Sequence, residues 1–463
     1  MNKQRSLIML ATIACLAACN SPQEESQRKD VQLITVAPGH FHAALVQKTM
    51  YPEVDSTVYV YAPDGPDLDA HLALIDSYNT RADDPTHWEE KVYRGNDFLD
   101  KMLAEQKGNV VVLAGNNQHK IDYITQSINA GLNVLADKPM VIDTEGFATL
   151  KQAFTEAGEK KVLLYDIMTE RYEINTMLQR AFSQVPDFFG GLVEGTVDKP
   201  AITKESVHHF FKEVSGKALT RPEWFYDTKQ QGEGIVDVTT HLVDLVQWES
   251  FPEQVINYEQ DIKLEGAKRW PTTLTPEQYK RSTGASEFPE FLSESVDDDG
   301  NLAVFANGEI NYTLKGVHAK VSVIWNFEAP EGAGDLHYSI MRGRYANLIV
   351  QQGAEEHYKP VLYIESTGER NNEEFEASLA KAVEQLEGSY KGLKSESVGE
   401  GRYRISFDSS LATVHEQHFG QVTEKYLEYL KSGVLPEWEV PNMLAKYYLT
   451  TKALAEAETV TAP

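Results

Sequence analysis

Short β-rich runs alternate with longer helical stretches in the N-terminal part of the 463-residue chain, and this alternation limits the possible folds more than any other feature. The runs are apolar and rich in valine and leucine, as strands buried in a parallel sheet are. They lie at residues 31–36, 57–62, 110–114, 132–136 and 161–165. The pattern predicts an α/β fold with an N-terminal Rossmann domain, a doubly wound parallel sheet in which ligands bind after the carboxyl ends of the strands.

The N-terminus has the pattern of a lipoprotein signal peptide. Lys3 and Arg5 precede an apolar run at residues 7–18 that ends immediately before Cys19. The run is shorter than the roughly 20 residues of a membrane span, and the small residues before Cys19 favour cleavage next to a lipidated cysteine. We therefore expect an exported protein anchored by lipid at Cys19; an ordinary secretory signal is the alternative.

The polar residues 20–30 are expected to form a flexible tether. Their acidic pair Glu24 and Glu25 resembles the export signals of surface lipoproteins in Bacteroidetes-like bacteria. We expect the anchored protein on the periplasmic face of the outer membrane or at the cell surface.

Cysteine usage and charge exclude several classes of function. Cys15 and Cys19 are the only cysteines, so the folded body has no thiol for disulfide, zinc or nucleophilic chemistry. The 70 acidic residues outnumber the 43 lysines and arginines, which gives a formal net charge of −27. This charge repels nucleic acid and anionic lipid, so we expect a small-molecule partner and contact with a membrane only through the lipid.

The segment after the first β-rich run takes the place of a dinucleotide-binding loop. It reads APGHFH at residues 37–42 and keeps only Gly39 of the usual Gly-x-Gly-x-x-Gly pattern. A helix beginning near His40 would offer its amides to the phosphates, so we assign Gly39, His40 and Phe41 to the cofactor. A tight turn without a ligand explains this loop equally well.

Asp64 follows the second run at about the spacing where a carboxylate accepts ribose hydroxyls. No arginine stands beside it in the sequence to neutralise a 2′-phosphate, so Asp64 favours NAD, with NADP as the alternative cofactor. A solvated aspartate in a turn is the other interpretation.

Two later segments carry a more specific motif. Residues 111–119 read VVLAGNNQH, and residues 130–140 read AGLNVLADKPM. In order and spacing they resemble the Gfo/Idh/MocA oxidoreductases, where a Thr-Pro-Asn-x-x-His-like segment precedes a helix and a strand that runs into Glu-Lys-Pro. The resemblance implies an NAD(P) cofactor contacted by Asn116, Asn117, His119, Asp137 and Lys138, with Asp137 in place of the glutamate.

The resemblance continues at residues 232–244, which read GEGIVDVTTHLVD and are similar to the family's Gly-Gly-Gly-x-x-x-Asp-x-x-x-His-x-x-Asp motif. Asp237 and His241 are four residues apart, so a helix presents them on one face. A histidine can accept the hydroxyl proton when hydride leaves a carbinol carbon, and Lys138 would stabilise the alkoxide. The resemblance implies that Lys138, Asp237 and His241 are catalytic; a capping and core pair is the alternative for the last two.

The second half of the chain is β-rich beyond Asn257. Segments at residues 302–305 and 309–313 flank Asn307 and Gly308, which predict a hairpin turn, and residues 413–433 predict an amphipathic helix. This fits the family's C-terminal α+β domain with an open-faced, mostly antiparallel sheet, a face that would pair two copies in a homo-oligomer. We divide the chain into signal peptide (1–19), tether (20–30), Rossmann domain (31–166) and substrate domain (167–463).

Five further residues are candidates for sugar binding: Arg171, His209, Lys212, Trp224 and Tyr226. Aromatic rings stack on the apolar faces of sugars. His208 and His209 are adjacent in a β-run, so at most one faces the site. His415 and His418 are one residue short of the zinc-binding His-Glu-x-x-His spacing and have no evident third ligand, so we predict no metal.

The resemblance implies oxidation or reduction of a secondary hydroxyl on a sugar, glycoside or cyclitol. Because free NAD is scarce outside the cytoplasm, we expect a tightly bound nucleotide, and we favour oxidation at position 3 of a glycoside. Two alternatives stay open. One is an NAD-dependent glycosidase that works by oxidation and elimination without net redox, and the other is a non-catalytic sugar-binding lipoprotein.

Overall fold

The computed structural model describes residues 30–214 and 217–461, so Cys19, with the signal peptide and most of the tether, lies outside the described residues. None of the helices in these two ranges combines the length and the apolar composition of a membrane span. The described residues form a six-stranded sheet, a ten-stranded sheet and a small two-stranded sheet. The predicted α/β class is confirmed.

The six-stranded sheet is a Rossmann sheet. Its strands are β1 (Leu33–Val36), β2 (Thr57–Ala62), β3 (Glu89–Arg94), β4 (Val110–Leu113), β5 (Asn133–Asp137) and β6 (Leu164–Ile167). All neighbours are parallel, and the order β3-β2-β1-β4-β5-β6 puts the reversal of strand order between β1 and β4, where ligands of such sheets bind. The charged edge strand β3 is absent from the predicted set, because it lies mostly exposed and lacks apolar periodicity.

Five helices connect these strands: α1 (His42–Leu45), α2 (Pro66–Thr80), α3 (Phe98–Glu105), α4 (Lys120–Asn129) and α5 (Thr144–Lys160). The side chain of Asp143 accepts a hydrogen bond from the Gly146 amide and so caps α5. A 3-10 turn at Thr169–Tyr172 leads from β6 into the second domain.

The ten-stranded sheet is mostly antiparallel, as expected. Its strands are β7 (Ile202–Phe211), β10 (Ile262–Leu274), β11 (Leu302–Leu314), β12 (Val317–Glu328), β13 (Leu336–Arg342), β14 (Ala346–Gln351), β15 (Val361–Ser366), β16 (Lys394–Gly399), β17 (Arg402–Ser406) and β18 (Glu458–Thr459). β8 (Glu213–Val214) and β9 (Lys217–Ala218) form the two-stranded sheet. Only the pairs β7–β12 and β10–β18 of the described strands are parallel in the large sheet.

The predicted turn at Asn307 and Gly308 is wrong, because both residues lie inside the continuous strand β11. The buried Asn307 amide bonds to the backbone of both flanking strands, donating to the Trp270 carbonyl (3.0 Å) and accepting from the Trp325 amide (2.7 Å). A Cβ at position 308 would lie 2.7 Å from the Ile235 side chain, so close packing explains the glycine.

Eight helices accompany the large sheet: α6 (Ile174–Ser183), α7 (Pro186–Phe189), α8 (Thr228–Gln231), α9 (Thr239–Ser250), α10 (Pro276–Thr283), α11 (Asn372–Glu387), α12 (His415–Ser432) and α13 (Glu439–Glu456). The predicted helix near residues 413–433 is thus confirmed as α12. Phe419 and Tyr426 of α12, with Tyr447 of α13, belong to the core of the Rossmann domain. The C-terminal helices therefore complete the first domain's core.

Candidate active site

A cavity of about 1120 Å³ lies where the carboxyl ends of the Rossmann strands meet the second domain. The loop after β1 lines it with His40, and the end of β5 does so with Asp137 and Lys138. The second domain contributes Asp237 from the turn just before α9 and His241 from the first turn of α9. Its volume is at the upper end of the range of small-molecule sites, so it can hold a cofactor's reactive end together with a substrate.

Lys138 and Asp237 form an ion pair across the junction of the two domains. The Lys138 Nζ lies 2.5 Å from Asp237 Oδ1, and the Gln231 amide donates to Asp237 Oδ2 at 3.0 Å. Burial works to raise the pKa of Asp237, but the Lys138 ammonium and the Gln231 hydrogen bond outweigh it and lower that pKa. The pair therefore holds one ammonium, in a fixed position, at the cavity.

His241 faces the same cavity one helical turn after Asp237. Its buried Nδ1 has no hydrogen-bond partner among the described residues. Burial and the nearby Lys138 charge lower the pKa of His241 to about 4. Near neutral pH the ring is uncharged, so it can accept a proton from a ligand. The structure thus brings together the three residues predicted to be catalytic.

Lys120 is a site residue that the sequence reasoning missed. Its buried Nζ donates to the carbonyls of Asp137 and Pro139, both at 3.0 Å. These two bonds fix the backbone on either side of Lys138. Burial lowers the pKa of Lys120 to about 8. Its spacing of four from the buried Ile124 places it on the inner face of α4, a signal present in the sequence.

His119, the residue predicted at the cofactor in this segment, points away from the cavity. Its side chain is 58% exposed, and its Nδ1 lies 3.6 Å from an oxygen of the equally exposed Asp122. The buried side chain at the start of α4 is that of the next residue, Lys120.

The opposite wall of the cavity is organised by Asp335. Its carboxylate pairs with Lys212 (2.5 Å) and with ring nitrogens of His208 (3.1 Å) and His209 (3.3 Å). Burial opposes ionisation of Asp335, but these partners hold its pKa well below the usual range. Lys212 and His208 line the cavity, whereas the predicted His209 is 1% exposed and lies behind them. His208 also stacks on the cavity residue Trp325.

A second acid–base pair lies beside His241. The His415 Nδ1 is 3.4 Å from Glu170 Oε1, and both side chains line the cavity. Burial would raise the pKa of Glu170, but its bond with His415 outweighs this and keeps the carboxyl ionised. His337, another cavity residue, has its pKa lowered to about 4, mainly by burial. His415, considered above only for its zinc-like spacing to His418, thus stands in the cavity wall.

The chain matches two family models. Residues 61–165 match "Oxidoreductase family, NAD-binding Rossmann fold", and residues 178–458 match "Putative oxidoreductase C terminal domain". A "putative oxidoreductase" from Parabacteroides merdae is 53% identical, with a TM-score of 0.91 over 93% of this chain and 98% of that one. The chain belongs to the Gfo/Idh/MocA family of NAD(P)-dependent oxidoreductases.

More distant structures share the fold of this Gfo/Idh/MocA protein. A 3-ketoreductase from Actinomadura kijaniata, crystallised with NADP and TDP-benzene, has 13% identity and a TM-score of 0.54 over 94% of this chain and 99% of that one. A biliverdin reductase from Synechocystis has 11% identity and a TM-score of 0.55 over 92% and 99%. No curated protein matches the chain.

The dinucleotide loop of this Gfo/Idh/MocA member differs from the expected one. The amides of Gly39 and His40 both donate to the Ala114 carbonyl at 3.2 Å, and α1 begins only at His42. We expected a helix from His40 with backbone amides free to bind phosphate. That expectation is wrong, because these amides already donate to the carbonyl that follows β4. His40 and Phe41 still line the cavity.

Trp224 covers this loop and does not line the cavity. Its indole nitrogen donates to Asp67 Oδ2 at 2.8 Å, and a Cβ on Gly39 would lie 3.2 Å from the indole ring. The predicted role of Trp224 in stacking on a sugar is not supported, because the ring packs on the nucleotide loop. The missing side chain of Gly39 makes room for Trp224 and Asp67.

Asp64 does have an arginine beside it. Arg94 at the end of β3 lies 2.7 Å from Asp64 and 2.8 Å from Asp69, because β2 and β3 pair in parallel with Ala62 opposite Arg94. The expectation that no arginine stands there is therefore wrong. Asp64 and Arg94 are exposed where ribose hydroxyls or a 2′-phosphate would bind, which fits an NAD(P) cofactor without choosing between its two forms.

Asn116 and Asn117, both predicted to contact the cofactor, differ in what they can still bind. Asn116 donates to the Gln230 side chain (2.7 Å), and Asn117 donates to the Gln231 carbonyl (2.6 Å), so both bind α8 of the second domain. Asn117 lines the cavity, and its buried Oδ1 has no partner within the described ranges. This unmatched acceptor fits an amide-bearing ligand such as nicotinamide.

Arg171 and Tyr226 do not reach the cavity. Arg171 is buried against Asp244 and Glu439, and the Tyr226 hydroxyl donates to Ser282 (2.6 Å) while its ring stacks on Phe210. The structure does not bring either predicted sugar-binding residue to the cavity, because their polar groups bond within the protein.

Proposed function

We propose that this protein oxidises or reduces a secondary hydroxyl of a neutral sugar, glycoside or cyclitol, with glycoside 3-oxidation as the favoured reaction. The observation that carries the proposal is the neutral His241, which lines the same cavity as the Lys138–Asp237 pair. One side chain can accept a proton, and the other presents a fixed positive charge.

Each residue has a distinct task in hydroxyl oxidation. NAD(P), when bound, supplies the hydride acceptor. His241 takes the hydroxyl proton at its ring nitrogen, which burial keeps free of a proton at neutral pH. Lys138 donates to the same oxygen as negative charge develops there, and Asp237 holds the ammonium in place. Reduction of a ketone uses these groups in reverse.

The opposite wall supports a polyol ligand. Lys212 supplies a donor held in place by Asp335, and Trp325, stacked on His208, supplies an aromatic surface. Positioned polar groups next to an aromatic ring suit a ring with many hydroxyls. The 3-ketoreductase activity of the fold relative from Actinomadura kijaniata is consistent with a sugar position 3 as the reacting centre.

The proposed location follows from the N-terminal sequence alone. Export and lipidation at Cys19 would place the enzyme where free NAD is scarce, so we propose that the nucleotide is retained between turnovers. The Trp224–Asp67 contact over the nucleotide loop supports retention, because it joins the two domains across that loop.

A second candidate is an NAD-dependent glycosidase, and the Glu170–His415 pair favours it. Oxidation needs one base, but elimination of a glycosidic bond needs a further base and an acid. Glu170 and His415 supply such a set in the same cavity as His241.

The decisive experiment identifies the nucleotide and the product together. Protein purified from its native envelope is denatured, and released nucleotide is identified by mass spectrometry. Intact protein is then mixed with a panel of glycosides while reduced nicotinamide is followed by absorbance. A keto-glycoside formed in equal amount with reduced nicotinamide supports the oxidoreductase, and free sugar without net reduction supports the glycosidase. Protein that neither contains nor binds NAD or NADP contradicts both proposals.

A further inference from the structure

Three side chains of the types that bind metals lie on the Rossmann side of the cavity, outside the Lys138–Asp237–His241 group. They are His40, His42 and Asp137. Each presents one nitrogen or oxygen atom, and these atoms all lie within 4.8 Å of one another. The His42 Nδ1 is 2.9 Å from Asp137 Oδ2. All three residues line the cavity, so a ligand can reach them.

The fold brings these residues together from separate segments. His40 and His42 follow β1, and Asp137 ends β5, so all three lie at the carboxyl edge of one parallel sheet. His42 and Asp137 are buried, while His40 is half-buried. The His42 ring packs on Phe419 of α12 at a centroid distance of 4.6 Å, which fixes its orientation. The site thus has two fixed members and one at the cavity surface.

The donor set suits a transition metal. A neutral imidazole nitrogen and a carboxylate oxygen are common zinc ligands, at distances of about 2.0–2.2 Å. Two ligand atoms bound to one tetrahedral ion lie a little over 3 Å apart, close to the 2.9 Å that separates His42 from Asp137.

We propose that His40, His42 and Asp137 bind one divalent transition-metal ion, zinc or a chemically similar ion, at the cavity. Three protein ligands leave a coordination position open, which a water or a ligand oxygen can fill. The two histidines stand in a loop where a dinucleotide fold has glycines, and this loop precedes the residues 61–165 that match the NAD-binding family model. His42 takes the third glycine position of that pattern and His40 a variable position, and both converge on the carboxylate of Asp137.

The ion would also balance the local charge. Asp137, Asp237 and Glu170 bring three carboxylates to the cavity, and Lys138 is already paired with Asp237. A divalent cation bound by Asp137 therefore meets a neutral ion pair and two imidazoles, and the buried Lys120 ammonium, which donates to the Asp137 carbonyl, is a further positive charge beside it. This property of the site does not depend on which sugar is the substrate.

Cobalt is the probe for the test, because its visible absorption reports coordination by nitrogen and oxygen. Purified full-length protein is freed of metal with a chelator, titrated with Co²⁺ and then competed with Zn²⁺. We expect one Co²⁺ per chain, displaced by Zn²⁺, and a rise in the melting temperature with Zn²⁺. His40→Ala and His42→Ala should each weaken binding by at least the about 10- to 100-fold that loss of an outer-shell partner costs.

Two variants serve as matched controls. His119→Ala removes an exposed histidine, and His208→Ala removes one from the opposite wall of the cavity; both should bind Co²⁺ as the wild type does. His40→Gln, at the half-buried member, keeps the size of the side chain and guards against misfolding, which melting curves without metal would show. Wild-type protein that binds no Co²⁺ or Zn²⁺, or equal affinity in folded His40→Ala, His40→Gln and wild type, would overturn the proposal.

Discussion

Two buried ionic clusters lie at the junction of the two domains, and they differ in how completely their polar atoms are paired. The joint cluster consists of Asp166, Arg171, Asp244, Glu439 and Lys446. Arg171 holds Asp244 through two bonds (2.6 and 2.7 Å) and reaches Glu439 at 3.1 Å, and Lys446 bridges Asp166 (2.8 Å) and Asp244 (2.7 Å). The cavity cluster consists of Lys138, Asp237, Gln231 and His241.

The charged groups of the joint cluster are all paired with one another. Burial opposes the charge on Asp244, but Arg171 and Lys446 outweigh it, so the pKa of Asp244 lies far below its usual value. The cavity cluster has an equally short ion pair, yet His241 Nδ1 is unmatched within the described residues and its ring faces open space. Burial and short ion pairs therefore do not identify a reactive site in this molecule. What sets the cavity cluster apart is a titratable ring that lines a cavity and keeps one nitrogen unmatched within the described residues.

The largest expected effect is on catalysis by the cavity cluster. Lys138→Met removes the charge that stabilises an alkoxide, so we expect kcat to fall by about 10³-fold on the first glycoside that the wild type turns over. Folding should change little, because water in the cavity can solvate Asp237. Single-turnover absorbance and urea unfolding measure the two quantities. Lys229→Met removes an exposed lysine paired with Glu294 and should alter neither.

The joint cluster should respond in the opposite way. Arg171→Met leaves Glu439 without its buried cationic partner and Asp244 with Lys446 alone, so we expect the free energy of unfolding to fall by about 3–5 kcal/mol. The folded fraction should keep kcat within a few-fold. Urea denaturation measures the loss, and Arg344→Met, at an exposed arginine, should cost no more than about 0.5 kcal/mol. A stable but inactive Arg171→Met protein would mean that the two clusters are not distinct.

The sequence predicts the Rossmann sheet well because a strand that is buried on both faces consists of a continuous run of apolar residues. β1 and β4 are buried at every position and are found from their letters alone. β3 is not found, because an exposed edge strand needs no apolar residues. β11 is divided wrongly, because Asn307 and Gly308 are used for interstrand bonds and close packing that no local pattern reveals.

The residues of the candidate site also fall into those that the sequence predicts and those that only the structure reveals. Lys138, Asp237 and His241 are predicted from a motif with fixed spacing, and the fold brings them to one cavity. Arg171 was a candidate for sugar binding, yet only the packing of α9 and α13 shows that its charge is already paired. Arg94 and Lys120 were missed, since strand pairing and helix facing put them at the site from segments with no motif.

A smaller effect should separate positioning from chemistry. Lys120→Met removes the ammonium that bonds the carbonyls beside Lys138, so we expect kcat to fall by on the order of 10-fold, through a misplaced Lys138. The pKa of Lys120, about 8 when folded, lies below that of an unfolded lysine, so wild-type stability should rise between pH 8 and 10.5. That rise should be absent in Lys120→Met. Equal pH dependence in both proteins would contradict the burial of a charged Lys120.

The smallest expected effect is a change in the pKa of His241. Removing a nearby positive charge favours the imidazolium, so the pKa of His241, about 4 in the wild type, should rise by about 1 unit in Lys138→Met and stay below that of a free histidine, because burial persists. Ring-carbon NMR of labelled histidines measures it, with His241→Ala for assignment. The pKa of His337, also about 4 but without Lys138 among its causes, should not move. An unmoved His241 would show that Lys138 and His241 do not act as a unit, and the distinction between the two clusters would then rest on the unmatched nitrogen alone.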